Sequence, residues 1–249
     1  MNKRVLLVDD DEGVLALLSA TIERGGYATR CVENAKDALK ALGEELFPVV
    51  ISDIMMPDMD GLTLLKKIKE INPEIQVIMI TAHATVDAAI MALRNSATSF
   101  LKKPFDPDDL VSQTEEAFEK YRAIEDNKKL IDELRYAKEY NDKIIENLVY
   151  TVLVFDEQGR IKKMNHALEI LLGYAEKDVV GTPMQNLFSE EFTNTKLKDI
   201  ADAKKLEDYP VEFVAKDGGM IKALFTGAII KGPSGNILSF IGTTKSPRK

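Results

Sequence analysis

The chain has 249 residues, of which 45% are hydrophobic and 30% are charged, and its formal net charge is -8. This length suits two domains of ordinary size, and the composition is that of globular proteins rather than disordered ones. An acidic chain repels the phosphate backbone of nucleic acids, so we expect no direct nucleic-acid binding.

The cellular location is predicted from the N-terminus, the apolar runs and the cysteine content. The opening MNKRVLLVDDDEG has too few apolar residues for a signal peptide, and no apolar run reaches the ~18 residues that a membrane span needs. The one cysteine, Cys31, lies in an apolar stretch with strand character, and we expect a buried, inert thiol. These features predict a cytoplasmic protein with no membrane partner.

Residues 4–120 alternate short apolar strands with amphipathic helices. Strands are predicted at 4–8, 27–32, 48–52, 76–80 and 99–102. Helices are predicted at 12–24, 35–46, 62–71, 84–95 and from 107 onward. The first, third and fourth strands are apolar throughout, which is typical of strands buried on both faces of a parallel sheet. The pattern predicts a doubly wound α/β domain with a five-stranded parallel sheet.

From about residue 107 to residue 148 the chain is rich in charged and helix-forming residues, and no proline or glycine occurs between 108 and 158. The apolar residues of this segment recur mostly at spacings of three and four, at Ala117, Tyr121, Ile124, Ile131, Leu134, Ala137, Ile144 and Leu148. Asn127 and Asn141 lie near this seam, where polar residues can fix the register of a coiled coil. The spacing favours a two-stranded coiled coil, and the alternative is a solvated single helix that packs on its own domain.

The last region, 149–244, combines apolar runs with turn signals. Strands are predicted at 151–155, 211–215, 221–230 and 237–242. Turns are predicted at 156–159, 216–219 and 232–236, and helical patterns occupy the middle of the region. This order predicts an α+β domain with an antiparallel sheet and short helices on one face.

Polar residues follow four predicted strands of the first domain. They are Asp9, Asp10, Asp11, Asp53, Thr81 and Lys103. Open α/β sheets bind ligands at the carboxyl ends of their strands, and clustered carboxylates suit a hard cation such as Mg²⁺. A carboxylate can also attack phosphorus, while a metal ion and a lysine neutralise the transferring group. Asp11 has two interpretations, a metal ligand or a helix N-cap.

The first half of the chain resembles the receiver domain of two-component response regulators. The resemblance lies in VLLVDDDEG at 5–13, VVISDIMMPDMDGLTLL at 49–65, VIMITA at 77–82 and SFLKKPF at 99–105. It implies a flavodoxin-like fold in which Asp53 accepts a phosphoryl group from a histidine kinase. It further implies a site for Mg²⁺ or Mn²⁺ formed by Asp9, Asp10, Asp53 and the backbone carbonyl of Met55.

The same resemblance implies roles for three more residues. Thr81 and Phe100 match the switch hydroxyl and the switch aromatic residue, and Lys103 matches the lysine before proline. The chain departs from the family where Ser96-Ala97 replaces the common Gly-Ala and where Phe100 replaces a tyrosine. His83, two residues after Thr81, either borders the phosphorylation site or has no role.

Residues 149–244 resemble a PAS domain, a module for binding and dimerisation that in some proteins contains haem or flavin. The matching features include VLVFD, the turn at Gly159, the segment from Asn165 to Tyr174, and FVAKDGGMIKALFTGAII at 213–230. The region has no cysteine for a flavin adduct, and its one histidine, His166, has the position of a surface or capping residue. We therefore expect no haem or flavin.

Together these features predict a receiver domain at 1–120, a coiled-coil-like helical linker at 121–148, a PAS domain at 149–244 and a tail at 245–249. The expected protein is a dimeric response regulator that dimerises through its linker, its PAS domain or both. It relays phosphorylation to the PAS domain, and it is no enzyme beyond phosphorylation and dephosphorylation of Asp53. One alternative is the N-terminal part of a receiver–PAS histidine kinase. Another is an aspartyl-phosphate phosphatase of the haloacid dehalogenase type, with Asp9 as nucleophile.

Overall fold

The computed structural model describes residues 3–82, 95–189, 205–234 and 237–245, and it divides into two compact units, Met1–Asp132 and Glu133–Lys249. The predicted helix at 84–95, except for its last residue, lies outside the described residues. His83, the turn residues 235–236 and the last four residues of the chain also lie outside them.

The first unit contains a five-stranded parallel sheet in the order β2-β1-β3-β4-β5. Its strands are β1 (Arg4–Val8), β2 (Ala28–Val32), β3 (Val49–Asp53), β4 (Gln76–Thr81) and β5 (Ser99–Lys102). Its described helices are α1 (Glu12–Arg24), α2 (Ala35–Glu44), α3 (Gly61–Ile71) and α4 (Pro107–Glu146), of which α4 continues into the second unit. The predicted doubly wound α/β fold is confirmed.

Two hydrophobic clusters cover the two faces of this sheet. One joins strand residues such as Leu6 and Val50 to α2 and α3. The other joins residues such as Leu7 and Ile51 to α1 and the first turns of α4. Because successive strand residues point to opposite faces, β1, β3 and β4 need apolar side chains at nearly every position.

The prediction of a buried thiol at Cys31 is wrong, because Cys31 is exposed. It lies on β2, which among the described strands forms one edge of the sheet and pairs with β1. None of the five residues of β2 is fully buried. An apolar run therefore gave a misleading indication of burial at this edge strand.

The long helix α4 divides into a buried part and an exposed part. Its buried residues are Leu110, Thr114, Ala117, Phe118 and Tyr121. Phe118 stacks on Tyr27, with 4.9 Å between the ring centroids. Further along, Ile131 and Leu134 are 65% and 69% exposed. The predicted seam is thus buried at its first two positions and open to solvent at Ile131 and Leu134.

The second unit contains a five-stranded antiparallel sheet in the order β7-β6-β10-β9-β8. Its strands are β6 (Thr151–Phe155), β7 (Ile161–Met164), β8 (Lys205–Val214), β9 (Met220–Lys231) and β10 (Ile237–Lys245). The short helices are α5 (His166–Leu172), α6 (Glu176–Val179) and a 3₁₀ turn at Met184–Leu187. The expected α+β fold is confirmed.

The core of the second unit lies between these helices and the sheet. Leu168 and Leu172 of α5 pack in one cluster with Phe155, Phe213 and Phe225 of the strands. Strand β7 was not predicted, because Lys162 and Lys163 interrupt its four-residue sequence IKKM. Such a short strand gains its stability from pairing with β6 rather than from its own apolar pattern.

Candidate functional site

Three carboxylates meet at the carboxyl ends of β1 and β3. Each of Asp9, Asp10 and Asp53 offers an oxygen within 4.8 Å of the others. Asp9 and Asp53 are buried, at 1% and 7% exposure, while Asp10 is exposed. They come together because β1 and β3 are neighbours in the parallel sheet and end at the same edge.

Lys103 brings a positive charge to the same edge. Its Nζ lies 2.6 Å from Asp9 Oδ2 and 3.3 Å from Asp53 Oδ2. Its backbone N–H donates to the carbonyl oxygen of Thr81 at 2.8 Å, which fixes the residue beside the end of β4. One ammonium group therefore contacts two of the three carboxylates.

The environment of Asp53 disfavours an isolated negative charge. Burial is the main cause that raises the pKa of Asp53; the Lys103 ammonium opposes this effect and the Asp9 carboxylate adds to it. The backbone N–H of Ile54 donates to Asp53 Oδ1 at 2.8 Å. Since the like charge of Asp9 contributes to the raised pKa, a bound cation would favour the ionised form.

Asp11 serves as the N-cap of α1. Its Oδ1 accepts from the backbone N–H groups of Gly13 at 2.7 Å and Val14 at 3.2 Å. Its own backbone N–H donates to Asp9 Oδ1 at 3.1 Å. Of the two interpretations of Asp11, the structure supports the helix cap.

The remaining predicted site residues occupy positions around the acid cluster. Thr81 ends β4 and is 1% exposed. Phe100 on β5 is half-buried, lies opposite Met79 in the register, and packs on the cluster beneath α2 and α3. Met55 follows β3 by two residues, and its side chain is exposed.

Gly61 was not singled out from the sequence, although it shapes the site. A Cβ atom at this position would lie 2.0 Å from the carbonyl oxygen of Asp53, so no larger residue fits without displacing the end of β3. The N–H of Gly61 donates to the carbonyl oxygen of Ile54 at 2.9 Å. In the sequence, the feature that could have pointed to Gly61 is its position directly after Asp60, the N-cap of α3.

In the second unit, Asn165 is a fully buried polar residue with several partners. Its Oδ1 accepts from the N–H groups of Val152 at 2.7 Å and Leu168 at 3.3 Å. Its Nδ2 donates to three carbonyl oxygens, those of Ile145 at 3.1 Å, Leu148 at 3.4 Å and Tyr150 at 2.9 Å. Asn165 thus connects the end of α4 to β6 and α5.

Comparison with known proteins identifies both units. A family model described as response regulator receiver domain matches residues 5–115. A second model, described as PAS fold, matches residues 139–245. No helix in the described ranges is both long and apolar enough to span a membrane.

Relatives with established names match between about half and two thirds of the chain. The DNA-binding transcriptional regulator NtrC of Proteus hauseri is 48% identical over 118 residues, which are 47% of this chain and 25% of that protein. NtrC of Salmonella typhimurium is 38% identical over 176 residues, 66% of this chain and 38% of that protein. A crystal structure of NtrX from Brucella abortus is 32% identical with a TM-score of 0.50, and the match covers 52% of this chain and 30% of that one.

The chain spans 25% to 38% of the length of these two NtrC relatives. The receiver model matches residues of the first compact unit, and the PAS model matches residues of the second. Residues 5–115 therefore belong to the response regulator receiver family, and residues 139–245 to the PAS family.

Proposed function

We propose that this response regulator accepts a phosphoryl group from a histidine kinase on Asp53 and relays the change through α4 to its PAS domain. One observation carries the proposal. Asp53 lies within 4.8 Å of two further carboxylates and 3.3 Å from the Lys103 ammonium. A nucleophilic carboxylate is thus placed beside groups that can bind a cation and neutralise a phosphoryl oxygen.

The carboxylate oxygens of Asp9, Asp10 and Asp53 form a donor set suited to Mg²⁺ or Mn²⁺, with the backbone carbonyl of Met55 as a further proposed ligand. The bound ion would supply positive charge next to the phosphoryl oxygens. An Asp53 carboxylate oxygen attacks phosphorus, the bond from phosphorus to the histidine nitrogen of the kinase breaks, and an acyl phosphate forms. Lys103 neutralises a phosphoryl oxygen while it stays bonded to Asp9.

Asp53 is favoured over Asp9 as the nucleophile. The Asp9 side chain is 1% exposed and the Asp53 side chain is 10% exposed. The ammonium of Lys103 also lies closer to Asp9, at 2.6 Å, than to Asp53, at 3.3 Å. Asp53 is therefore the more accessible and the less tightly paired carboxylate, which argues against a phosphatase that uses Asp9. We propose no reaction beyond phosphorylation and dephosphorylation of Asp53.

The DNA-binding activity in the names of the NtrC relatives belongs to proteins of which this chain covers 25% and 38%. We do not extend that activity to this chain, whose formal net charge is -8. The proposed partners are a histidine kinase and a second copy of the chain.

Removal of the metal ion tests the proposed chemistry. Incubation with acetyl phosphate and Mg²⁺ should add the mass of one phosphoryl group to the chain, and peptide mapping should locate it at Asp53. Excess EDTA should abolish the labelling, because the clustered carboxylates would then repel the phosphodonor. Renewed addition of Mg²⁺ serves as the control. Labelling that persists in EDTA, or that maps to another residue, would contradict the proposal.

For the relay, we propose that the new phosphoryl group attracts the Thr81 hydroxyl and that Phe100 fills the space behind it. Lys103 is hydrogen-bonded to Thr81, and α4 begins four residues later at Pro107. The buried turns of α4 pack in the same cluster as strand residues of the sheet, such as Ile78 and Ile80 of β4. A change at the end of β4 can therefore alter the packing of α4.

Dimerisation is proposed to involve the exposed part of α4. Ile124, Ile131, Leu134 and Ile144 of this helix are 39–69% exposed and belong to the predicted seam. Apolar residues at such spacing become buried when two helices wind around each other. A second copy of the chain would provide the matching seam.

Phosphorylation should change either the dimer population or the amide exchange of residues 139–245. Light scattering and hydrogen-exchange mass spectrometry, with and without acetyl phosphate, measure these two quantities. Asp53→Asn with the same donor serves as the control for effects of the donor itself. If neither quantity changes in the fully phosphorylated wild type, the proposed relay is wrong.

A further inference from the structure

A second group of potential metal ligands lies in the PAS unit, far along the chain from the acid cluster. Glu146 is the last residue of α4, His166 is the first residue of α5, and Glu169 lies one turn after His166. Each offers one ligand atom, and these atoms all lie within 4.8 Å of one another. We call these three residues the helix-end cluster.

The donor set of the helix-end cluster consists of one imidazole and two carboxylates. Zinc binds histidine nitrogen and carboxylate oxygen at about 2.0–2.2 Å in tetrahedral geometry, so two ligand atoms of the same ion lie about 3.4 Å apart. The present separations, up to 4.8 Å, would close by up to about 1.4 Å through rotation of the side chains when an ion binds. The side chain of His166 is 62% exposed, which leaves the cluster open to an ion from solvent.

The backbone beneath the cluster is fixed by two contacts that do not involve its members. Asn165, directly before His166, is fully buried and donates to the carbonyl oxygen of Ile145, directly before Glu146. Lys163 of β7 forms an ion pair with Asp142 of α4, with 2.5 Å between Nζ and Oδ1. The positions of Glu146 and His166 are therefore preorganised by their immediate neighbours in the chain.

The local charges favour a cation. His166 Nδ1 lies 3.1 Å from Glu169 Oε2, and the other oxygen of Glu169 accepts from the backbone N–H of Glu176 at 2.6 Å. This second contact orients the Glu169 carboxylate. Glu146 adds its charge at the C-terminal end of α4, where the unpaired carbonyl groups of a helix carry partial negative charge.

We propose that Glu146, His166 and Glu169 bind a divalent ion that accepts mixed nitrogen and oxygen ligands, such as Zn²⁺. Because the three ligands come from the end of α4 and from α5, an occupied site fastens the end of the linker helix to the PAS fold. The ion would thus stabilise the same junction that Asn165 forms. This proposal does not depend on the chemistry proposed for Asp53.

Zn²⁺ titration of the full chain by isothermal calorimetry tests the site, with saturating Mg²⁺ present to fill the acid cluster around Asp53. Wild type is expected to bind one Zn²⁺. His166→Ala and Glu146→Gln are each expected to weaken the affinity for this ion at least about tenfold. His83→Ala is the matched control, because the chain has two histidines and His83 is not in the cluster. Circular dichroism verifies that each variant is folded.

The outcomes separate clearly. Tenfold or greater weakening in His166→Ala and Glu146→Gln, with wild-type affinity in His83→Ala, supports the site. Wild-type affinity in His166→Ala overturns it, as does the absence of Zn²⁺ binding to wild type at a millimolar concentration. Equal weakening in His83→Ala also overturns it, because the ion would then bind elsewhere.

Discussion

Asp53→Asn is expected to abolish Mg²⁺-dependent labelling by acetyl phosphate. The amide of asparagine is a poor nucleophile toward phosphorus. The substitution also removes one of the three carboxylates that lie within 4.8 Å of one another. Lys103 would keep its contact with Asp9 at 2.6 Å, so the substitution leaves no unpaired ammonium. Intact-protein mass spectrometry measures the labelling, and the signal should fall to background.

The matched control for this substitution is Asp58→Asn. Asp58 is exposed, lies in the loop after β3 and has a φ of 63°, a conformation that asparagine adopts readily. Labelling of Asp58→Asn should therefore equal that of wild type. Undiminished, Mg²⁺-dependent labelling of Asp53→Asn would show that another residue is the acceptor.

Loss of labelling in Asp53→Asn should not reflect unfolding. The pKa of Asp53 is raised, chiefly by burial, so ionised Asp53 reduces the stability of the fold at neutral pH. The contribution of Asp53 to stability is most favourable below the pKa that this carboxyl has in the unfolded chain. That contribution is lost as the pH rises through the pKa of Asp53 in the folded protein. The asparagine variant should accordingly be at least as stable as wild type at pH 7 in thermal unfolding without metal ions.

Asn165→Ala is expected to lower the free energy of unfolding of the PAS unit by about 3–4 kcal/mol. The side chain is fully buried and bonds to five backbone groups, two N–H groups and three carbonyls. Alanine would leave several of them without a partner at the junction of α4, β6 and α5. Each unpaired buried polar group costs about 1–3 kcal/mol, although some would recover bonds to water.

Hydrogen-exchange mass spectrometry of the full chain measures this loss in peptides from β6 and α5, while peptides from β1 and β3 should not change. The control is Asn186→Ala, which removes the same chemical group from an exposed position. Asn165→Asp keeps the acceptor oxygens and loses the Nδ2 donor. This variant therefore separates the contribution of the bonds that Asn165 accepts from that of the bonds it donates. Exchange in Asn165→Ala that matches Asn186→Ala would contradict the structural role of Asn165.

Much of the receiver site was predictable because its residues mark strand ends. Asp9, Asp53 and Lys103 each follow or end an apolar strand, and parallel strands bring such residues to one edge. The fully apolar strands also indicated a sheet covered on both faces. The exposure of Cys31 could not be predicted in this way, because the pattern does not reveal which strand forms an edge.

Short-range patterns within the chain thus determined the parallel sheet, the acid cluster and the antiparallel architecture of the PAS unit. They could not show that Gly61 lies against the Asp53 carbonyl, that Asn165 bonds to the end of α4, or that Glu146 meets His166 and Glu169. Each of these contacts joins residues from different elements, and their geometry depends on how the elements pack. Local spacing reports which residues share a face or a strand end, whereas packing decides which atoms come within bonding distance.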